Sequence, residues 1–195
     1  MKKIYLLFFV FFSPISVFSQ SKEYSVSISS GVFFPCEYMD FRNIKTGVNL
    51  GIEFQHYVKP WAFFAEVNYS FFKFDLPYSP DYFESTSPSD IFEINIGPRY
   101  VFGNNKFQPF IDAGIGIINE NYGSYKAINN GFTYITGVKQ RTNLDVGLGI
   151  GSTININKNF DIIIKGRLFS WLIGGEGGIG FMNYYGFYGG IKYNF

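Results

Sequence analysis

Residues 142–156 read TNLDVGLGIGSTINI, and their alternation decides the fold. Leucine, valine and isoleucine stand at positions 144, 146, 148, 150, 154 and 156, while the odd positions between them hold Asp, Gly, Thr and Asn. Successive side chains of a β-strand point to opposite faces, so a period of two predicts a strand with one apolar and one polar face.

The same alternation recurs along the chain and predicts eight strands. They span about 23–34, 47–58, 62–72, 91–102, 107–117, 142–156, 160–169 and 184–195. Tight turns rich in Gly, Pro and Asn join some of them, at 59–61, 103–106 and 157–159. The other connections, 35–46, 74–90, 118–141 and 170–183, are long and are expected to be loops. An antiparallel meander of this kind is predicted to close into a barrel, because closure removes the exposed strand edges.

The composition of the two faces indicates which one points inward. The apolar face carries no charge, whereas the polar face combines glycine with a few charges of both signs. A soluble, lipocalin-like barrel would instead show a charged exterior; an uncharged outer face suits lipid, where a charge costs about 2 to 4 kcal/mol at the midplane. The predicted polar network of the lumen comprises Glu53, Glu66, Glu93, Arg99, Asp112, Asp145, Asp161, Lys165, Arg167 and Lys192.

Aromatic residues gather near both ends of the predicted strands, as they do at the two interfaces of a membrane barrel. At the tight-turn end we expect Tyr24, Trp61, Phe63, Tyr100, Phe102, Phe107, Phe160, Tyr193 and Phe195. At the long-connection end we expect Trp171 together with Phe34, Tyr69, Phe71, Phe92, Tyr185 and Phe187.

The first residues are typical of a secretory signal peptide. Lys2 and Lys3 precede an apolar run at 4–12, and small residues at Val17 and Ser19 form a cleavage site. The apolar run is too short for a spanning helix. We therefore predict a signal peptide at 1–19, followed by one barrel domain at 20–195.

Several classes of function are disfavoured by composition. The formal net charge of the 195 residues is +1, which provides no basic footprint for nucleic acid. Cys36 and His56 are the single cysteine and the single histidine, so we expect no metal site and no cofactor. Whether Cys36 pairs between chains stays open.

The last predicted strand carries a recognisable pattern, with Tyr185, Phe187, Ile191, Tyr193 and Phe195 at alternate positions. Together with the eight alternating strands, it makes the chain resemble the small bacterial outer-membrane β-barrels of the OmpA/OmpX-like superfamily. The resemblance implies that the barrel-assembly machinery reads this terminal strand, that the short turns face the periplasm and that the long loops face outside. The expected location is the cell outer membrane, with its lipid as a partner.

Other motifs admit more than one interpretation. His56 invites comparison with outer-membrane lipid A deacylases, but Val58 stands where a serine would follow, and Glu66 points to the opposite face. Residues 174–178, Gly-Gly-Glu-Gly-Gly, are expected to form a flexible external loop rather than a phosphate cradle. The loop aromatics could form a binding surface or pack onto the rim; they are Tyr78, Tyr82, Phe83, Tyr122, Tyr125, Phe132 and Tyr134.

The expected function is non-enzymatic: a structural or surface-interaction protein that acts through four external loops. Because an eight-stranded barrel is just wide enough for its own side chains, we expect the lumen charges to satisfy one another and close it. Two alternatives stay open, a porin-like diffusion channel for small solutes and an accessory barrel of an export machine.

Overall fold

The computed structural model describes residues 23–35, 46–72, 82–85, 89–103, 106–129, 131–137, 139–175 and 178–195. The predicted signal peptide and Cys36 lie outside these ranges. The strands are β1 (Tyr24–Pro35), β2 (Gly47–Val58), β3 (Trp61–Phe72), β4 (Tyr82–Ser85), β5 (Ser89–Val101), β6 (Phe107–Tyr122), β7 (Tyr125–Asn129), β8 (Phe132–Thr136), β9 (Lys139–Asn155), β10 (Phe160–Gly175) and β11 (Gly178–Asn194).

Eight of these strands form a closed barrel in the order β1-β11-β10-β9-β6-β5-β3-β2. Every neighbouring pair is antiparallel, and β1 closes the barrel by pairing with both β2 and β11. The predicted all-β, eight-stranded antiparallel barrel is confirmed. Within the described ranges, no helix is long and apolar enough to cross a membrane.

Burial alternates along the strands as the sequence pattern requires. In β3, for example, residues switch between exposed and buried at every position from Trp61 to Phe72. Large apolar side chains stay exposed around the barrel wall, among them Ile28, Ile52, Ile115 and Ile150. The apolar face therefore lies on the outside and the polar face lines the lumen.

The prediction of long loops is wrong for two connections, 118–141 and 170–183, because much of their length is strand. In 118–141, β6 continues to Tyr122 and β9 already begins at Lys139, and the two pair from Phe107↔Ile154 to Tyr122↔Lys139. The distal residues, such as Asn119, Glu120 and Arg141, are polar on both faces. Alternation marks a strand only where one face meets an apolar surrounding, so a strand that extends past the apolar band lacks this signal.

The expected loop at 170–183 is also strand, and so the glycines at its centre are not a flexible external loop where they are described. β10 and β11 stay paired up to Gly174↔Ile179 and Gly175↔Gly178. β10 pairs with β9 only as far as Trp171, and β11 pairs with β1 only as far as Tyr184. Residues 172–175 and 178–183 thus form a two-stranded hairpin beyond the barrel. Backbone hydrogen bonds hold the two strands of this hairpin together, and its side chains do not need to alternate between apolar and polar.

A small second sheet is formed by strands from two long connections, 74–90 and 118–141. β4 comes from the connection between β3 and β5, and β7 and β8 come from the one between β6 and β9. They pair in the order β4-β7-β8, and we call them the outer sheet. The expected loop 74–90 accordingly contains β4 and the first residues of β5. On β8, Phe132 and Ile135 are 69% and 78% exposed.

Candidate functional site: the filled lumen

All ten charged residues that the sequence predicts for the lumen lie there and are buried, each with at most 6% of its surface exposed. They come from seven of the eight barrel strands and converge on the barrel axis. They are Glu53, Glu66, Glu93, Arg99, Asp112, Asp145, Asp161, Lys165, Arg167 and Lys192.

Arg99 joins two walls of the barrel. Its Nη1 and Nη2 donate to Oε1 and Oε2 of Glu53 at 2.8 and 2.9 Å, and its Nε and Nη2 donate to Oδ2 of Asp112 at 3.0 and 2.7 Å. Asp112 faces Arg99 in the β5–β6 register, whereas Glu53 comes from β2. The guanidinium also lies over the ring of Phe110, at 4.0 Å from its centroid. Such a planar, forked donor fits two carboxylates better than a lysine would.

Lys165 and Arg167 on β10 also contact these acids. We call the six charged residues the central cluster; they are Glu53, Glu66, Arg99, Asp112, Lys165 and Arg167. The Lys165 ammonium forms ion pairs with Glu53, at 3.0 Å from Oε2, and with Glu66. Arg167 pairs with Glu66 and lies 3.5 Å, through Nε, from Oδ1 of Asp112. Three carboxylates face three cations, so the cluster is neutral, as a buried ion network must be to offset desolvation.

A separate ion pair stands towards the short turns. Lys192 Nζ lies 3.0 Å from Oδ2 of Asp161 and donates to the Tyr57 hydroxyl at 2.8 Å. Asn155 and Asn194 donate to Asp161 at 2.7 and 2.8 Å. A cavity of about 330 Å³, lined in part by Tyr57, Tyr100 and Gln108, opens at this mouth.

Towards the long connections the acids are held differently. Glu93 accepts a hydrogen bond from the Tyr184 hydroxyl at 2.7 Å, and Asp145 accepts one from Asn95 at 3.0 Å. Neither carboxylate forms an ion pair within the part of the chain that is described. Neutral donors, not cations, hold these two groups.

Further towards the long connections the lumen is lined by apolar side chains, which the sequence analysis did not predict. We call this cluster the apolar plug; it comprises Phe33, Phe72, Ile91, Ile118, Phe169, Tyr184 and Tyr188. Phe169 stacks on Tyr184 at 4.5 Å, and Phe33 meets Tyr184 edge-on at 5.8 Å.

A signal for the apolar plug was present in the sequence. Most of its members stand beside an outward-facing apolar residue, in doublets at the long-connection end of the strands: Phe33-Phe34, Phe71-Phe72, Ile91-Phe92, Ile117-Ile118, Leu168-Phe169 and Tyr184-Tyr185. A doublet breaks the period of two because both faces of the strand are apolar there.

Glycine gives the central cluster its space. Gly149 points into the lumen, where an added Cβ would lie 3.0 Å from Cγ of Arg167 and closer still to the Asp112 carboxylate. At the outward Gly189, such an atom would meet nothing within 4 Å among the described residues. Gly149 thus makes room for the side chains of Asp112 and Arg167.

The predicted interface aromatics lie at the two rims. Around the short turns, Trp61 and Phe102 each meet Tyr100 at 5.0 Å, and Tyr193 meets both Phe160 and Phe195 at 5.1 Å. Phe63 and Phe107 are exposed there, and Tyr24 stacks on His56 at 4.6 Å. Trp171 lies on β10 opposite Met182, and its side chain is outside the described part.

The predicted assembly-signal residues share the outer face of β11. Tyr185, Phe187, Ile191 and Tyr193 are all exposed, and Phe195 directly follows the strand. At the long-connection rim Phe34 meets Phe187 edge-on at 6.2 Å.

Comparison with solved structures places this geometry among known barrels. Neisserial surface protein A superposes with a TM-score of 0.54 at 14% identity, covering 90% of this chain and 98% of that one. Ail, the attachment invasion locus protein of Yersinia pestis, gives 0.52 at 14% identity over 89% and 99%. A major outer membrane protein from Thermus thermophilus gives 0.53 at 11% identity over 88% and 99%. The fold is that of the small outer-membrane β-barrels.

The similarity resides in the structure. No protein-family model matches the chain, and no curated protein does. The expectation that the chain resembles these barrels is thereby confirmed for its architecture. At such low identity the likeness extends to the fold and to no residue of a site.

The outer sheet gathers most of the predicted loop aromatics. Tyr82 and Phe83 lie on β4, Tyr125 on β7, and Phe132 and Tyr134 on β8. Phe83 pairs with Ala127, which pairs in turn with Tyr134, so these residues share one row across the sheet. Tyr122 ends β6, and Tyr78 lies outside the described residues.

Proposed function

We propose that the protein is an integral barrel of the bacterial outer membrane with a closed lumen and a surface-interaction role. The observation that carries the proposal is the division of the molecule into three zones. An uncharged apolar wall surrounds a filled lumen, and strands extend beyond the barrel at its long-connection end. The barrel strands are 12 to 17 residues long, more than the roughly 9 to 11 needed to cross a bilayer.

Two layers support a closed lumen. The central cluster links β2, β3, β5, β6 and β10 through Arg99, Lys165 and Arg167, so charged side chains fill the cross-section. The apolar plug lies above it, and ions do not cross an apolar constriction readily.

The outer sheet and the β10–β11 hairpin support an interaction role. β8 is an edge strand of the outer sheet and exposes Phe132 and Ile135, and an exposed, apolar edge strand can pair with another chain. Ail, which shares the fold, is named for attachment and invasion. We infer that any ligand of this protein is bound on this side.

A non-enzymatic role is part of the proposal. His56 is on the outer face, stacked on Tyr24, and its Nδ1 has no hydrogen-bond partner among the described residues. Glu66, the acid that the comparison with the deacylases brings into question, is buried in the lumen and paired with Lys165 and Arg167. A base that is held by no acid is poorly suited to activate a nucleophile.

Labelling of intact cells tests the location and the orientation together. In a Cys36→Ser background, Ile135→Cys should react with a membrane-impermeant maleimide on whole cells, because β8 faces outside. Lys158→Cys, in the turn between β9 and β10, should react only after the outer membrane is permeabilised. Labelling of both or neither on intact cells would contradict the proposed orientation.

Planar-bilayer conductance tests the closed lumen and decides between this proposal and the diffusion channel. The reconstituted wild-type barrel should show no steady, discrete openings. A gel shift on heating, measured on the same sample, controls for correct folding. Discrete openings from heat-shifting protein would favour the channel.

A further inference from the structure

Each tight turn of the barrel carries a lysine followed closely by an outward aromatic residue. The pairs are Lys59 and Trp61 between β2 and β3, Lys106 and Phe107 between β5 and β6, and Lys158 and Phe160 between β9 and β10. All six side chains are exposed.

The three lysines lack acidic partners in the part of the chain that the structure describes. None of them forms an ion pair there. Asp161, an acid close to this rim, is buried and paired with Lys192, while the exposed Glu23 lies at this rim beside Tyr57, before β1 and outside the three turns. The exposed surface of these turns is therefore positive.

The positive charges are distributed around the barrel. With the strand order β1-β11-β10-β9-β6-β5-β3-β2, the turns β2–β3, β5–β6 and β9–β10 fall at every second junction between strands. A compact polyanion would need these charges together on one side. A ring of separated charges instead fits a surface that surrounds the barrel, which for a membrane protein is the lipid leaflet.

The aromatic partners set the depth of the ring. Trp, Tyr and Phe side chains of a barrel wall lie at the boundary between hydrocarbon and head groups. Lysine extends its charged end beyond such a boundary while its methylene stem stays on apolar surface. A lysine one or two residues outside each aromatic therefore reaches the phosphate level of the same leaflet.

We propose that this lysine–aromatic ring binds the head groups of anionic phospholipids in the leaflet around the short turns. It rests on the proposed membrane location and adds to it a preference for lipid charge at one rim. A lysine near an anionic surface gains roughly fivefold in binding. Each of the three turns should therefore bind its own anionic phospholipid, and the preference for anionic over neutral lipid should be measurable beside a single turn.

Tryptophan quenching tests the ring. In a Trp171→Phe background, Trp61 reports on lipids beside the turn that contains Lys59. The protein is reconstituted into vesicles of phosphatidylcholine and phosphatidylglycerol, with either lipid brominated in turn, and the two quenching curves give a relative binding constant. We expect phosphatidylglycerol to be preferred about fivefold at low salt. The preference should approach one in about 1 M salt, where the Debye length is roughly 3 Å.

A charge-matched pair of variants identifies the residues. Lys59→Gln/Lys106→Gln/Lys158→Gln should reduce the preference to about one, while Lys126→Gln/Lys139→Gln/Arg141→Gln removes three positive charges from the other end and should retain it. Equal quenching by both lipids in the parent protein, or equal loss in both variants, overturns the ring. If the protein fails to enter the vesicles, neither brominated lipid will quench Trp61, and this result would instead contradict the membrane location.

Discussion

Arg99 is the residue on which the central cluster depends most. It is 1% exposed and its guanidinium satisfies Glu53 and Asp112 together. Arg99→Met should lower the free energy of unfolding by about 3 to 5 kcal/mol, because two buried carboxylates each lose one of their two cations and the cluster is left with a net negative charge. Urea titration of the barrel in lipid vesicles measures this difference.

Arg141→Met is the matched control, since Arg141 is an exposed arginine near the start of β9. Its effect should stay within about 0.5 kcal/mol. A loss below about 1 kcal/mol for Arg99→Met would show that the network adds little to stability.

For single residues, the sequence predicted which charged side chains lie in the lumen, but not which of them form ion pairs with each other. Period two places Glu53, Arg99 and Lys165 on the polar face, since each stands at an alternate position of its strand. Which acid meets which base depends on the closure of the barrel, because Glu53 and Lys165 lie 112 residues apart and on strands that do not pair.

The β10–β11 hairpin is the element most independent of the barrel. Beyond Trp171 and Tyr184 its two strands pair, among the described strands, only with each other. Replacing 173–180 by Asn-Gly, which joins the cross-strand pair Leu172 and Phe181 by a two-residue turn, should leave the barrel folded. The heat shift should persist, and the free energy of unfolding should change by less than about 1 kcal/mol, since an isolated hairpin is marginally stable.

Shortening the same strands inside the barrel provides the contrast. Deletion of 163–166 with 187–190 removes residues that also pair with β9 and β1, and should abolish the heat shift. Loss of the heat shift in the first variant would mean that the hairpin is required for assembly.

Strand existence followed from the sequence, but the strand ends near the long connections did not. The apolar wall imposes alternation only along the buried height of β6, β9, β10 and β11. Beyond it, backbone pairing alone extends the strands, and glycine or polar residues such as Gly174 and Asn119 carry no sign of this.

For the molecule as a whole, two exposed isoleucines distinguish lipid from water as the surrounding. Ile115 on the barrel wall is 65% exposed and Ile135 on the outer sheet is 78% exposed. In a membrane, Ile115→Arg should cost about 2 to 4 kcal/mol, while Ile135→Arg should be nearly neutral. Unfolding in lipid vesicles measures both. Small, equal effects would support a soluble, lipocalin-like barrel.

Alternation in the sequence determined the eight barrel strands and their two faces, and the composition of those faces determined that the apolar one points outward. This information is local, because the period of two is a property of each strand and lipid outside demands an uncharged face. The tertiary structure decided the ion partners, the apolar plug, the outer sheet and the ring of lysines. These depend on which strands closure brings opposite each other, and residues far apart in the chain meet only once the barrel has closed.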